Sequence, residues 1–160
     1  MKIRSTLLAL CLLLPPALAR AQETPPEPTA AQPRLPTAKL AITGHGGARH
    51  DFTVELAVTD AQQQTGEMFR THVPENEGML FDWHTPRDVP MWMKNTLVPL
   101  DMIFIGSDGV ISHIAENAVP QSLAVIPSGG PVRATLEVAG GLTAKLDIRV
   151  GDRVTGAIFP

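Results

Sequence analysis

The chain reads as a mainly β, β-rich α+β protein: a small closed or strongly curved β-barrel-like domain with one or two short helices. Apolar residues recur with a period of two over several short runs. Glycine- and proline-containing turns separate those runs, while only one stretch carries a convincing helical signature. Closing such a sheet also removes the edges that a β protein must otherwise protect.

Before the domain come two segments of different character. Lys2 and Arg4 form a short basic region, and Leu7 to Leu14 is an almost unbroken apolar run. The cleavage options Ala17-Leu18-Ala19 and Ala19-Arg20-Ala21 follow, so residues 1–21 read as a Sec-type signal peptide, too short to span a bilayer. The expected location is periplasmic or secreted, with cleavage near Ala19 or Ala21. The single cysteine, Cys11, leaves with that peptide, so disulfide and thiolate chemistry are excluded from the mature chain. Cleavage also removes Lys2, Arg4 and Arg20, leaving ten basic against sixteen acidic residues, net −6. That balance argues against a nucleic-acid partner. Residues 22–37 hold five prolines (Pro25, Pro26, Pro28, Pro33 and Pro36) and no apolar period, the composition of a disordered spacer. Residues 38–160 suit one domain with one core.

Within the domain, Phe52, Val54, Leu56 and Val58 alternate with Thr53, Glu55 and Ala57, as in a half-buried strand. Thr59 or Asp60 can cap a helix over Ala61 to Arg70, although Gly66 inside it costs about 1 kcal/mol relative to alanine. Leu100 to Ile105 is apolar on both faces except at Asp101, which predicts a central strand. Gly106-Ser107-Asp108-Gly109 supplies a hairpin turn before Val110 to Ala115. Further strands are predicted over Val132 to Val138 and Leu146 to Val150, with a short helical turn near Gly141 to Ala144.

The chemistry concentrates in Met91-Trp92-Met93-Lys94-Asn95-Thr96 and the following Pro99-Leu100-Asp101. Lys94, Asn95 and Asp101 sit inside the most hydrophobic stretch of the mature chain, and such charges are almost never buried unless paired. Asp101 shares a strand face with Ile103 and Ile105, so it needs a partner, and Lys94 and Arg70 are the nearest candidates in sequence. Two arrangements are compatible with this: a polar pocket that orients a ligand, or a structural ion pair whose members satisfy each other. Trp92 offers a flat apolar face and one donor beside Lys94, suited either to a pocket mouth or to packing a barrel end.

Seven motifs in order carry a resemblance: Gly66-Glu67-Met68-Phe69-Arg70, Gly78-Met79-Leu80-Phe81, Trp92 to Thr96, Pro99-Leu100-Asp101, Asp108-Gly109, Leu136-Glu137-Val138-Ala139-Gly140 and Gly151-Asp152 with Val154. Together they resemble the DUF192 (UPF0127) family of small exported bacterial and archaeal proteins. The resemblance spans Phe52 to Val154. It implies a compact, barrel-like β domain of unestablished biochemical role, and it places Arg70, Lys94, Asn95, Asp101 and Glu137 at the family's characteristic polar positions. Glu67 stands where a leucine is usual, which predicts a more exposed helix face, and Met91 replaces a phenylalanine.

Catalytic machinery is thinly represented. The sequence has no nucleophile elbow, no tyrosine and no histidine pair with metal-ligand spacing. Asp101 with Glu137 could form a carboxylate pair for glycoside hydrolysis. Met68, Met79, Met91, Met93 and Met102 could supply thioethers to Cu(I), but methionine more commonly fills irregular cores. The sequence thus favours a non-enzymatic binding or accessory module, monomeric and without cofactor or metal. Its site would be Arg70, Trp92, Lys94, Asn95, Asp101 and Glu137, and its partner a small molecule or envelope component. The alternatives are a carboxylate-based hydrolase acting on an envelope or carbohydrate substrate and a methionine-rich Cu(I) binder.

Overall fold

A computed structural model describes residues 26–160, so the expected signal peptide and the first residues of the Pro-rich stretch lie outside the described residues. Nine strands and two short helices follow: β1 (Thr37–Thr43), β2 (Arg49–Ala57), α1 (Asp60–Thr65), β3 (Glu77–Arg87), β4 (Pro90–Met91), β5 (Leu100–Ile105), β6 (Ile111–Ala118), β7 (Ile126–Pro127), β8 (Val132–Ala139), α2 (Leu142–Leu146) and β9 (Arg153–Gly156). Seven strands form one sheet in the order β6-β5-β8-β3-β2-β1-β9, and β4 pairs with β7 in a separate two-stranded ribbon. Neighbours in the large sheet are antiparallel except β2 and β3, which run parallel and therefore need a crossover, supplied by the segment containing α1. The sheet curls until its two edges touch: Val110, just before β6, bridges Arg153 of β9, and Ile111 N–H donates to the Asp152 carbonyl at 2.9 Å. The expected barrel-like class is the observed one.

Curling gives the sheet an inner face to which all seven strands contribute, including Leu40, Phe52, Leu80, Ile103, Leu136 and Val154. Its opposite face is covered as well, by Met91 and Met93 packed against Met79, Phe81, Met102 and Phe104 of the central strands. This second layer explains why Glu55 and Ala57, on the face of β2 expected to be polar and solvated, are both buried.

Three local expectations are corrected. The first helix stops at Thr65, because Gly66 turns to φ 48° against the Phe81 ring, where an added Cβ would lie 2.9 Å from Cζ. Its start is as anticipated, with Thr59 forming a capping box with Gln62. Leu146 to Val150 is not a strand: Leu146 ends α2, Asp147 at φ 56° terminates that helix, and Val150 is exposed. Lastly, the Pro-rich stretch is not free throughout. The Gln32 amide donates to the carbonyls of Gln62 and Gly66 at 3.1 and 3.0 Å, and Arg34 pairs with Glu55 and Glu77 at 2.8 and 2.7 Å.

Candidate functional site

The expected site residues divide into three groups, although Trp92, Lys94 and Asn95 share one segment, between β4 and β5. Asp101, near the start of β5, is fully buried on the inner face and pairs with neither Lys94 nor Arg70. Its Oδ1 accepts the backbone N–H groups of Asn117 and Gly141, both at 2.8 Å, and its Oδ2 accepts the backbone N–H and hydroxyl of Thr143 at 2.8 and 2.7 Å. Four donors satisfy one carboxylate, so Asp101 ties β6 and α2 to β5. The pocket expectation is corrected at this residue. The partners are three backbone N–H groups and one hydroxyl from residues far along the chain, which side-chain bookkeeping on sequence neighbours does not reveal.

Arg70 belongs to a second, packed cluster. Its guanidinium binds both Glu55 oxygens, at 2.6 and 2.9 Å, and its Nε lies 3.2 Å from Glu67 Oε2. Burial pushes the Glu55 carboxyl up, but Arg70, the Leu35 N–H and Arg34 together outweigh it and hold Glu55 below its ordinary value. Asn95 is also structural. At φ 55° it turns the chain after Lys94, and its carbonyl accepts the Phe69 N–H at 2.9 Å.

Trp92, Lys94 and Glu137 form the third group, and they line one open cleft of about 440 Å³. Met91 and Met93 point inward while Trp92 points out, the alternation expected of an extended segment. The Lys94 Nζ sits 5.3 Å from the Trp92 ring centroid, and Arg87 lies 4.9 Å from that of Trp83, so each rim tryptophan carries a cation. Lys94 also pairs with Glu27 of the Pro-rich stretch.

Glu137 lies in the cleft wall. Register places it between Met79 of β3 and Met102 of β5, one carboxyl in an apolar row. Gly78 permits the close approach of these strands, since a Cβ there would come within 2.4 Å of the Glu137 carbonyl. The residue is only 4 % exposed, and its carboxyl makes no hydrogen bond among the described residues. Burial, and then the neighbouring Glu67, push it well above the ordinary carboxylate range, against the opposing pull of Arg70.

Glu67 is the site residue that sequence reasoning missed. It was expected on a more exposed helix face; instead it is 3 % exposed and borders the same cleft. Its Oε2 is buried and, apart from the ion-pair contact with Arg70 Nε, accepts no hydrogen bond among the described residues; burial raises the carboxyl to about 7, although Arg70 counteracts this. Its occurrence where leucine is usual was the available signal. The sites of the methionines also differ: Met68 and Met91 border the cleft, while Met79 and Met93 are fully buried in the core.

The chain matches known proteins over this same framework. The DUF192 profile, described as an uncharacterised ACR, matches residues 41–156. A crystal structure from Sinorhizobium meliloti, provisionally named a transcription regulator, is 44 % identical with a TM-score of 0.78, covering 81 % of this chain and 100 % of that one. A protein of unknown function from Novosphingobium aromaticivorans is likewise 44 % identical, with a TM-score of 0.74, covering 79 % of this chain and 91 % of that one. Among curated proteins, none matches.

Proposed function

Because this chain belongs to the DUF192 family, described as uncharacterised, we propose a function from the cleft itself: it is a binding module for a small polar molecule. One observation carries this reading. Two nearly buried carboxyls face the cleft: no hydrogen bond to Glu137 is found among the described residues, and Glu67 Oε2 is sealed from solvent without a hydrogen-bond partner there, which costs about 1–3 kcal/mol. A fold retains such a group at its own expense when something else completes it. Burial favours the protonated form of Glu137, in which the carboxyl both donates and accepts, so a hydroxyl, amide or acid group of a ligand would complement it.

The proposed setting is the periplasm or the exterior, resting on the basic, apolar and small-residue succession of residues 1–21. A nucleic-acid role, suggested by the name of one relative, gains no support from a chain with thirteen basic against sixteen acidic residues.

The test is the pair Glu137→Leu and Glu137→Gln, followed by thermal melting alone and against a library of polar metabolites. Glu137→Leu should raise stability by about 1 kcal/mol while abolishing ligand-induced stabilisation. A loss of about 2 kcal/mol or more would make Glu137 a structural residue and end the reading.

A hydrolase is the second reading, favoured by the second carboxyl in the same cleft. Glu67, raised to about 7, suits a general acid at neutral pH. That reading requires turnover of a chromogenic glycoside by the parent chain, lost in both Glu67→Gln and Glu137→Gln. Binding without turnover leaves the module.

A further inference from the structure

The surface beside the cleft is as unusual as its wall. Seven large hydrophobic residues are exposed among the described residues, and five of them lie on two adjoining segments. Trp92 and Leu97 stand on one; Val119, Leu123 and Val125 stand on the other, each between 43 % and 67 % exposed. The segments are bonded to each other: Met91 pairs with Ile126, Met93 N–H donates to the Ser122 carbonyl at 3.0 Å, and Gln121 N–H to the Thr96 carbonyl at 3.1 Å. Residues 117–131 contain no charged side chain, and residues 89–100 contain only Lys94. A contiguous apolar surface of this kind on an otherwise acidic protein marks an interaction site.

Two features tie this shelf to the cleft. Trp92 belongs to both, forming part of the cleft wall and the near edge of the shelf. Lys94, the one charge at the junction, already holds a carboxylate, that of Glu27. Glu27 is two-thirds exposed, and ion pairs with so exposed a partner are weak, so a ligand can replace it. The chain's own side chain thus shows which chemistry Lys94 accepts.

We propose that the cleft and shelf bind a single amphiphile, its carboxylate on Lys94 and its hydrocarbon chain along Trp92, Leu123 and Val125. This rests on the cleft being a binding site and adds the class of its ligand. The carboxylate displaces Glu27 from Lys94, and the shelf removes the chain from water, which contributes in proportion to the apolar area covered.

The experiment is titration of the full-length chain with N-acetyl-glutamate and with N-lauroyl-glutamate below its micelle concentration, read by calorimetry and by tryptophan fluorescence, to which Trp83 and Trp92 both contribute. The lauroyl compound should bind at least about tenfold more tightly. L123S/V125S should bring it down to the acetyl level, K94M should weaken both, and E27Q should strengthen both. Equal affinity for the two compounds, no binding of either, or indifference to L123S/V125S would overturn the proposal. Capture by phosphatidylcholine vesicles without binding of the monomer would instead assign the shelf to a membrane, and a dimer lost in L123S/V125S would assign it to a second copy. Both outcomes overturn it as well. All these variants leave Glu137 intact, so failure here is separable from failure of the Glu137→Leu test.

Discussion

Thr143 delivers two hydrogen bonds to one oxygen of Asp101, from its backbone N–H at 2.8 Å and its hydroxyl at 2.7 Å, across 42 residues of sequence. Together with the Asn117 and Gly141 amides on the other oxygen, they leave Asp101 buried and satisfied. Asp101→Asn replaces an acceptor oxygen with an NH₂ group facing donors. A loss of about 3 kcal/mol or more is expected by urea unfolding; a change below about 1 kcal/mol would show that the bonds hold nothing together.

Lys94 should behave in the opposite way. Its pair with Glu27 lies at the surface and its ammonium rests on an exposed indole. Lys94→Met is expected to shift stability by less than about 0.5 kcal/mol in the same assay. A large loss would mean that Lys94 is a structural partner rather than a cleft residue.

Arg70 anchors the cluster next to the cleft. Arg70→Met removes both bonds to the buried Glu55, leaving that carboxylate with the exposed Arg34 and the Leu35 N–H. About 3–5 kcal/mol should be lost, as for any buried pair deprived of one member. Thermal melting at neutral pH measures it, and a loss near zero would show that Arg34 suffices.

Stability should also depend on pH through Glu67. The folded carboxyl titrates at about 7 instead of an unperturbed 4.5, so between those values the native state holds a proton that the unfolded chain has released. Stability therefore falls as pH rises across that window and is level above it, by at most about 3 kcal/mol. Glu137 acts in the same direction. Glu55, held below its ordinary value, contributes stability that is lost only on acidification below its unfolded value. Glu67→Gln should flatten the fall seen by urea unfolding between about pH 5 and about pH 8; an unchanged slope would refute the assignment.

Much of the sheet was legible because alternation survives on strands whose faces meet different surroundings. β2 and β8 were read from it, and β5 from being apolar on both faces. Leu146, Ile148 and Val150 show the limit of that signal. They alternate as a strand would, yet a helix end and a left-handed Asp147 place them on separate turns. The site was half legible for a similar reason. Trp92, Lys94 and Glu137 do share a cleft, whereas Asp101 is satisfied mostly by backbone groups, which no pattern of side chains announces. Glu67 departs from the family's usual leucine, but its burial is not legible in sequence, because a second packed layer on the outer face of the sheet is a tertiary property.

The pairing of β1 with β9 has a consequence in time. The first strand of the sheet gains its second neighbour only when the last strand is present, Leu40 opposite Gly156 and Ile42 opposite Val154. A chain emerging amino-terminus first from a ribosome must carry β1 with an open edge until β9 has emerged. Closing the sheet therefore waits for β9, is slow in the manner of non-local β pairing, and leaves β1 exposed to aggregation meanwhile.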